Sequence, residues 1–118
     1  MTSIADSHLV VERKKLTEYL LNSAHPHGAR KAAFFRSLGY SRRSWKRLAN
    51  DLKQHARANG TARLVETPFG RKHVVAGPLG SPVRKEARVV AIWIVEYNTR
   101  CARLVTAYPG GRVEHERA

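Results

Sequence analysis

Apolar residues recur with a helical period before Gly60 and with a strand-like period after it. The first half of the chain predicts three helices, at residues 15–21, 28–38 and 41–60. The second half predicts four strands, at residues 62–67, 71–76, 88–95 and 102–108. Helices followed by a run of strands indicate the α+β class, with N-terminal helices packed on one face of a four-stranded antiparallel sheet.

Local signals mark the ends of these elements. Gly39 stands where a glycine commonly ends a helix, and Ser41 is a favourable N-cap for the third helix. Gly77-Pro78 predicts an interruption of the second strand, and Asn98-Thr99 predicts a turn. The segment 88–95 is apolar at nearly every position, which predicts a central strand buried on both faces.

Length and composition predict one domain. The 118 residues include 42% hydrophobic residues, enough for a single core. We expect a domain over residues 15–110, an N-terminal arm over 1–14 and a C-terminal tail over 111–118. No apolar run approaches the roughly 18 residues needed to cross a bilayer, and the start lacks the order of a signal peptide. A lone cysteine, Cys101, suits a reducing compartment, so the expected location is the cytoplasm.

The charge is strongly positive and unevenly distributed. Lys and Arg total 22 against 9 Asp and Glu, a net charge of +13. Residues 30–57 hold nine basic residues against one acidic residue, Asp51. Such an excess favours a polyanionic partner, above all a nucleic acid, over a surface that serves only solubility. The candidate RNA-binding residues are His27, Arg30, Arg43, Lys46, Arg47, Arg71, Lys72 and His73.

The segment His25-Pro26-His27-Gly28-Ala29-Arg30-Lys31 combines groups that transfer protons with groups that bind phosphate. Arg30 and Lys31 stand at the start of a predicted helix, where the helix dipole already favours anions. Histidine titrates near neutral pH, so His25 and His27 are candidates for the base and acid of metal-free RNA cleavage. The alternative is a pair of solvated loop histidines, or one histidine that caps the helix.

Lys31 also precedes the apolar residues Phe34, Phe35 and Leu38 at helical spacing. Its side chain therefore lies at the edge of the predicted apolar stripe. Its ammonium either reaches to water along that edge or is held toward a phosphate in a cleft.

The last predicted strand contains polar side chains in a segment otherwise suited to burial. Strict alternation places Leu104 with Thr106 and Tyr108 on one face. The same rule places Arg103 on the other face, together with Val105 and Ala107. Thr106 and Tyr108 either hydrogen-bond a phosphate or base, or pack against the neighbouring strand.

Metal and cofactor patterns are missing from the sequence. There is no pair of cysteines, no His-x-x-x-His on a helix and no glycine-rich phosphate loop. We therefore expect neither a metal site nor a cofactor.

Several motifs together resemble a family of small bacterial domains of unknown function, itself similar to the RNase toxin superfamily that groups barnase, EndoU, the tRNA-cutting colicins and RelE. The resemblance spans about residues 15–110. The motifs that carry it are Leu-Thr-Glu-Tyr-Leu-Leu-Asn at 16–22, His-Pro-His-Gly-Ala-Arg-Lys-Ala-Ala-Phe-Phe at 25–35, Leu-Gly-Tyr at 38–40, Ile-Trp-Ile at 92–94 and Arg-Leu-Val-Thr-Ala-Tyr-Pro at 103–109.

This resemblance implies a metal-independent endoribonuclease that acts as a bacterial toxin, cleaving RNA by attack of the 2′-hydroxyl on phosphate. It implies His25 as acid or base, Lys31 and Arg103 as stabilisers of the phosphorane, and Thr106 and Tyr108 as phosphate-positioning groups. It also implies an acidic antitoxin or immunity protein as partner. Two alternatives remain: a nucleic-acid-binding module without catalysis, and an interaction domain that docks an acidic protein.

Overall fold

The computed structural model describes residues 4, 7–26, 28–80 and 87–110, and it confirms the α+β class. Strand β1 (His8–Val10) comes first, followed by the one-turn helix α1 (Arg13–Lys15), which continues as a π-helix (Leu16–Leu20). The remaining elements are α2 (Ala29–Ser37), α3 (Trp45–Asn59), β2 (Arg63–Glu66), β3 (Gly70–Leu79), β4 (Ala87–Glu96) and β5 (Cys101–Pro109). None of the helices so described is both long and apolar enough to cross a membrane.

The sheet has five strands in the order β1-β5-β4-β3-β2 and is mixed. β1 pairs in parallel with β5, with Val10 opposite Arg103, and the other three pairings are antiparallel. The prediction of a four-stranded antiparallel sheet is therefore wrong by one strand. Residues 8–10 were expected in a loose arm because a three-residue strand is too short to show a period.

β3 runs without a break through Gly77-Pro78, contrary to the predicted interruption. β2 pairs only with residues 71–74, so Pro78 lies where β3 has an unpaired outer edge, a position that tolerates proline. Glycine at position 77 is needed for packing against α3 and not for a turn. A Cβ there would lie 2.3 Å from the side-chain oxygen of Asn59, so glycine lets the end of α3 approach the strand.

The core fills one face of the sheet. Trp93, Ala91 and Val89 of β4 are fully buried in one core cluster with Phe35 of α2 and Leu52 of α3. α2 contacts the sheet at β5, and α3 contacts it at β3. β4 is central, as predicted, but it is not buried on both faces. Val90, Ile92 and Ile94 on its second face are only half-buried, and this second face is called the open face below.

The connection between α2 and α3 carries two of the predicted caps. Gly39 has φ 98°, and the Tyr40 N–H donates to the Phe35 carbonyl at 3.2 Å, which closes α2 as expected. The predicted N-cap at Ser41 is displaced, because α3 begins at Trp45 after Ser44. Ser41 and Ser44 instead hydrogen-bond each other reciprocally through backbone N–H and hydroxyl groups.

Two histidines are buried in the sheet–helix interface. His55 Nε2 lies 2.9 Å from the Val89 carbonyl and 3.2 Å from the Gly77 carbonyl, so this nitrogen carries the proton and donates. Its Nδ1 is buried without a partner among the described residues. His73 is 1% exposed and shares a 2.8 Å hydrogen bond with Thr61. Burial lowers the pKa of both rings, and the charge of Arg71 lowers that of His73 further.

Because of these two histidines, we expect the folded protein to lose stability on acidification at pH values well above those at which carboxylates titrate. Their pKa values lie below the ordinary value near 6.5 in the folded protein and return to it on unfolding. Stability is therefore complete above about pH 6.5 and falls as the pH drops toward the folded values, by up to about 1.4 kcal/mol per pH unit for each ring. Urea denaturation between pH 7.5 and 5 measures the slope.

The matched variants for this prediction are His73→Gln and His8→Gln. His73→Gln should remove up to half of the slope, because it deletes one of the two buried rings. His8→Gln changes an exposed ring on β1 and should leave the slope intact. A free energy of unfolding that stays level across this pH range in the unmodified protein would contradict the assignment.

Candidate active site

The π-helix orients the first residue of the site. The Leu21 N–H donates to the Leu16 carbonyl at 2.7 Å, five residues back, which widens this turn of helix. The wider turn buries Leu16, Leu20 and Leu21 completely. Tyr19 is half-buried beside these three leucines, and its hydroxyl lies close to Thr106 of β5. π-turns of this kind occur often at functional sites.

Gly28 brings the start of α2 against the π-helix. A Cβ at this position would lie 2.6 Å from the Tyr19 carbonyl oxygen and 3.0 Å from its ring, so only glycine fits without displacement. The preceding loop is held by its own hydrogen bonds, from the His25 N–H to the Asn22 carbonyl at 3.1 Å and from the Ala29 N–H to the His25 carbonyl at 3.1 Å. The loop and the first turn of α2 therefore lie beside Tyr19.

Lys31 joins the helices to the last strand. Its ammonium donates to the hydroxyl of Tyr19 and, at 3.2 Å, to Thr106 Oγ1. The two hydroxyl oxygens are 3.5 Å apart. Lys31, Tyr19 and Thr106, which we call the Lys31 cluster, thus bring one ammonium and two hydroxyls to one point. The ammonium is held by the protein and does not simply extend to water along the apolar stripe.

The cluster alters the phenol of Tyr19. Burial by itself raises the pKa of Tyr19, but hydrogen bonds with Lys31 and Thr106 and the positive charges of Lys31 and Lys15 outweigh it. The pKa of Tyr19 is therefore lowered from its ordinary value. Lys15 and Lys31 lie 5.6 Å and 4.9 Å from the centre of the same ring. The surroundings of Tyr19 consequently favour negative charge, whether on the phenol or on a bound anion.

His25 stands at the border of the cluster. Its half-buried ring packs edge-on against Tyr19, with ring centres 4.9 Å apart. This contact places an imidazole against the ring of Tyr19, whose hydroxyl accepts a hydrogen bond from the Lys31 ammonium. An imidazole and a phenol can both transfer protons, and an ammonium and hydroxyls can donate hydrogen bonds to a phosphate.

A β-bulge decides which residues of β5 share a face with Thr106. Ile92 pairs with Thr106 but Trp93 pairs with Leu104, so Val105 is an additional residue. The bulge shifts the alternation, and Arg103 lies on the same open face as Thr106 and Tyr108. The predicted arrangement, with Arg103 on the opposite face and Leu104 beside Thr106, is therefore wrong.

The other two residues predicted on β5 share the open face with Thr106, and no hydrogen bond among the described residues joins them to the Lys31 cluster. Arg103 forms an exposed ion pair with Glu12 at 2.7 Å, and exposed pairs of this kind contribute little stability. Tyr108 is half-buried opposite Val90. Both residues line the open face on either side of Thr106.

The candidate RNA-binding residues are dispersed over the molecule. Arg30 lies in the first turn of α2 beside Lys31, and Lys72 lies on the open face opposite Ile94. Arg47 pairs with Asp51 at 3.1 Å, and Arg71 pairs with Glu66 at 2.8 Å. Lys46 lies 5.9 Å from the centre of the Trp45 ring, Arg43 is exposed between α2 and α3, and His27 lies outside the described residues.

His73 is not available to RNA at the surface. Its ring faces the core and is hydrogen-bonded to Thr61. Strand pairing puts it opposite Trp93, on the buried face of the sheet. Within the described parts of the chain, no three His, Cys, Asp or Glu side chains lie together as metal ligands.

Tyr19 is the residue of the Lys31 cluster that the sequence analysis did not name as a candidate. Its spacing with Leu16 and Leu20 identified it as part of an apolar stripe. The one signal was a hydroxyl-bearing aromatic at the edge of that stripe, because a buried phenol needs a hydrogen-bond partner. Its partners, Lys31 and Thr106, are 12 and 87 residues away in sequence.

Comparison with known proteins gives one family and one related fold. The model of a family described as a domain of unknown function (DUF6883) matches residues 5–111. One chain of a contact-dependent growth inhibition toxin–immunity protein complex from Klebsiella pneumoniae 342 is similar in structure. The TM-score is 0.68 at 20% sequence identity, covering 92% of this chain and 97% of that chain. No curated protein of established function matches the chain.

Proposed function

Because the chain belongs to the DUF6883 family, a domain of unknown function, we propose a function from the geometry of the site: the protein is an endoribonuclease. The observation that carries this proposal is the Lys31 ammonium held between the hydroxyls of Tyr19 and Thr106, with the His25 imidazole packed against the Tyr19 ring. These groups supply positive charge, hydrogen-bond donors and a proton-transfer group within one small region of a strongly basic protein.

Lys31 and Thr106 bind the phosphate in this proposal. The ammonium has three protons and the hydroxyl has one, so each can donate to a non-bridging oxygen of a phosphodiester. Charge on those oxygens grows as the phosphorane forms, and donors already in place stabilise it more than they stabilise the substrate. The fixed position of Lys31 between two hydroxyls supports this role.

His25 transfers the protons. The ribose 2′-oxygen attacks phosphorus as a base takes its proton, and the new O2′–P bond replaces the P–O5′ bond. The departing 5′-oxygen receives a proton from an acid, which leaves a 2′,3′-cyclic phosphate and a 5′-hydroxyl with no net change in protons. His25 acts as base or acid in this step, and the phenol of Tyr19, beside it, is a candidate for the complementary role.

Arg103 and Tyr108 complete the phosphate site in this proposal. The β-bulge places both on the open face with Thr106. Arg103 can exchange its exposed partner Glu12 for a phosphate oxygen, because exposed ion pairs are weak and a guanidinium–phosphate contact is favourable. Tyr108 can hydrogen-bond the phosphate or stack on a base.

We further propose that the protein acts as a toxin and is held inactive by an acidic protein partner. Two observations support this: the likeness in fold to one chain of a toxin–immunity complex, and the net charge of +13. An acidic partner that covers the Lys31 cluster would be attracted over a long range by that charge.

The test is RNA cleavage by the purified protein in excess EDTA. We expect tRNA, ribosomal RNA or mRNA to be cut, because the cluster supplies its own charge and proton donors. The product should carry a 5′-hydroxyl that polynucleotide kinase labels without phosphatase treatment, and a cyclic phosphate at the other new end. Cleavage that EDTA abolishes would contradict the assigned chemistry. Salt-dependent binding without cleavage would favour the binding module, and neither cleavage nor growth arrest on expression would reject the nuclease.

A further inference from the structure

A second group of charges lies apart from the Lys31 cluster. It lines a cleft of about 560 Å³ between the helical segment 13–20 and the connection from α2 to α3. We call this the basic cleft. Its lining residues are Arg13, Lys14, Thr17, Glu18, Arg42 and Arg43.

The basic cleft has an excess of positive charge among the described residues. Four cations face one carboxylate, that of Glu18. The ion pairs found among the described residues involve Arg47, Arg71 and Arg103, and none involves a cation of the cleft. Four like charges around one cavity repel each other, so the arrangement indicates an anion that binds between them.

Both walls of the cleft are held in place. The turn that carries Arg42 and Arg43 is closed by the reciprocal hydrogen bonds between Ser41 and Ser44, each about 3.2 Å long. On the opposite wall, the Arg13 guanidinium lies 5.8 Å from the centre of the Trp45 ring, which packs against the core. A pre-formed site lowers the ordering cost of binding.

The lining chemistry favours a phosphodiester backbone over a protein surface. Five of the six lining residues are charged and three are arginine, whose planar guanidinium matches phosphate oxygens in pairs. The centre of a protein–protein interface is depleted of charge and rich in aromatic side chains, whereas nucleic-acid interfaces are polar and strongly positive. The exposed large apolar side chains lie elsewhere, on the β2–β3 hairpin and at Tyr97.

The basic cleft adjoins the Lys31 cluster through one helical segment. Thr17 and Glu18 line the cleft, and the next residue, Tyr19, belongs to the cluster. Consecutive residues of a helix diverge by roughly a quarter turn, so the two sites occupy neighbouring faces of the same segment. Lys15, 5.6 Å from the Tyr19 ring centre, continues the positive charge toward the cluster.

We propose that the basic cleft is a separate binding site for the phosphodiester backbone of RNA, which holds the strand beside the nucleotide cut at the Lys31 cluster. The cleavage at the Lys31 cluster in this proposal rests on the proposed function. The binding of RNA backbone in the basic cleft does not, since it can be measured without cleavage. It assigns Arg42 and Arg43 to affinity for long RNA and not to the chemical step.

Binding is tested in the full chain with Lys31→Met, so that the RNA stays intact. Fluorescence anisotropy with a labelled single-stranded RNA compares Arg42→Gln/Arg43→Gln with the matched pair Arg36→Gln/Arg57→Gln, exposed arginines outside the cleft. Both pairs remove two charges. The cleft pair should weaken binding by about tenfold or more and reduce the slope of log K against log salt by about 1.4. The matched pair should change neither by a comparable amount, and equal effects of the two pairs would overturn the proposal.

Cleavage assays with an unmodified Lys31 cluster distinguish a binding role of the basic cleft from a role in the chemical step. The cleft pair should lower kcat/KM for a long RNA but leave it unchanged for a dinucleoside monophosphate, whose single phosphate occupies only the cluster. An equal loss on both substrates would place Arg42 and Arg43 in the chemical step and overturn the proposal. If the unmodified protein cuts neither substrate, the nuclease fails, and the binding comparison alone decides the cleft.

Two further variants and probes sharpen the result. Glu18→Gln removes the single carboxylate of the cleft and should tighten RNA binding, because that carboxylate repels phosphate. Poly-glutamate serves as the protein-like polyanion. If the cleft pair loses affinity for poly-glutamate but keeps its affinity for RNA, the cleft is a protein-docking site and the proposal is overturned. Melting temperatures of all variants should match that of the parent.

Discussion

Replacing Lys31 with methionine should lower kcat/KM for RNA cleavage by about 10²–10³, with the fold retained. Lys31 is the only group of the cluster with a fixed positive charge, and its ammonium reaches both hydroxyls of the proposed phosphate site. Methionine fills a similar volume without charge or donors. Tyr19 and Thr106 remain 3.5 Å apart and can satisfy each other, so the loss should fall on catalysis and not on stability.

The matched control for this variant is Lys53→Met. Lys53 lies on α3, and the hydrogen bonds and ring contacts found for the cluster among the described residues do not include it. Lys53→Met removes one positive charge, as Lys31→Met does, and should change kcat/KM little. A steady-state assay with a labelled RNA, together with thermal unfolding, measures both variants. Equal activity of the two variants would remove Lys31 from the catalytic machinery.

Replacing His25 with alanine should lower the cleavage rate by about 10²–10⁴, the range of general acid–base catalysis. The competing explanation is that the ring only supports Tyr19, against which it packs edge-on at 4.9 Å. His25→Phe separates the two, because phenylalanine keeps the aromatic contact but cannot transfer a proton. We expect His25→Phe to be as inactive as His25→Ala.

Rescue by imidazole gives a second measurement for His25. Alanine leaves space beside Tyr19, and free imidazole in the buffer should restore part of the rate of His25→Ala. His8→Ala, a change to an exposed histidine on β1, is the matched control and should retain full activity. If His25→Phe cleaves RNA at the normal rate, His25 is a positioning residue for Tyr19 and not a proton donor or acceptor.

The candidate site shows which of its residues strand alternation and helical spacing can predict, and which they cannot. Lys31 and Thr106 were both candidates from their own local patterns, and the structure places them 3.2 Å apart. Tyr19 was not a candidate, because its spacing matched an apolar stripe and its hydroxyl finds partners only after α2 and β5 have packed against the π-helix. Arg103 was assigned to the wrong face, because a bulge at Val105 is set by pairing with β4 and leaves no reliable mark on a single strand.

Two histidines show the same limit of sequence analysis, because contacts with distant residues bury them. His73 follows Arg71 and Lys72 and reads locally as part of a basic, solvated edge. Pairing with β4 and contact with Thr61 bury it instead. His55 sits in a helix that the sequence identified well, yet its role depends on two carbonyls that come from strands more than 20 residues away.

By itself the sequence determined the properties that depend on neighbours within a few residues: the helical first half, the strand-rich second half, the α+β class, the end of α2 at Gly39 and the strong positive charge. These follow from the period of apolar side chains and from local backbone preferences. Tertiary structure alone decided the fifth strand, the register of β5, the burial of His73 and the meeting of Tyr19, Lys31 and Thr106. Each of these is a contact between distant parts of the chain, and its energy exists only when both partners are in place.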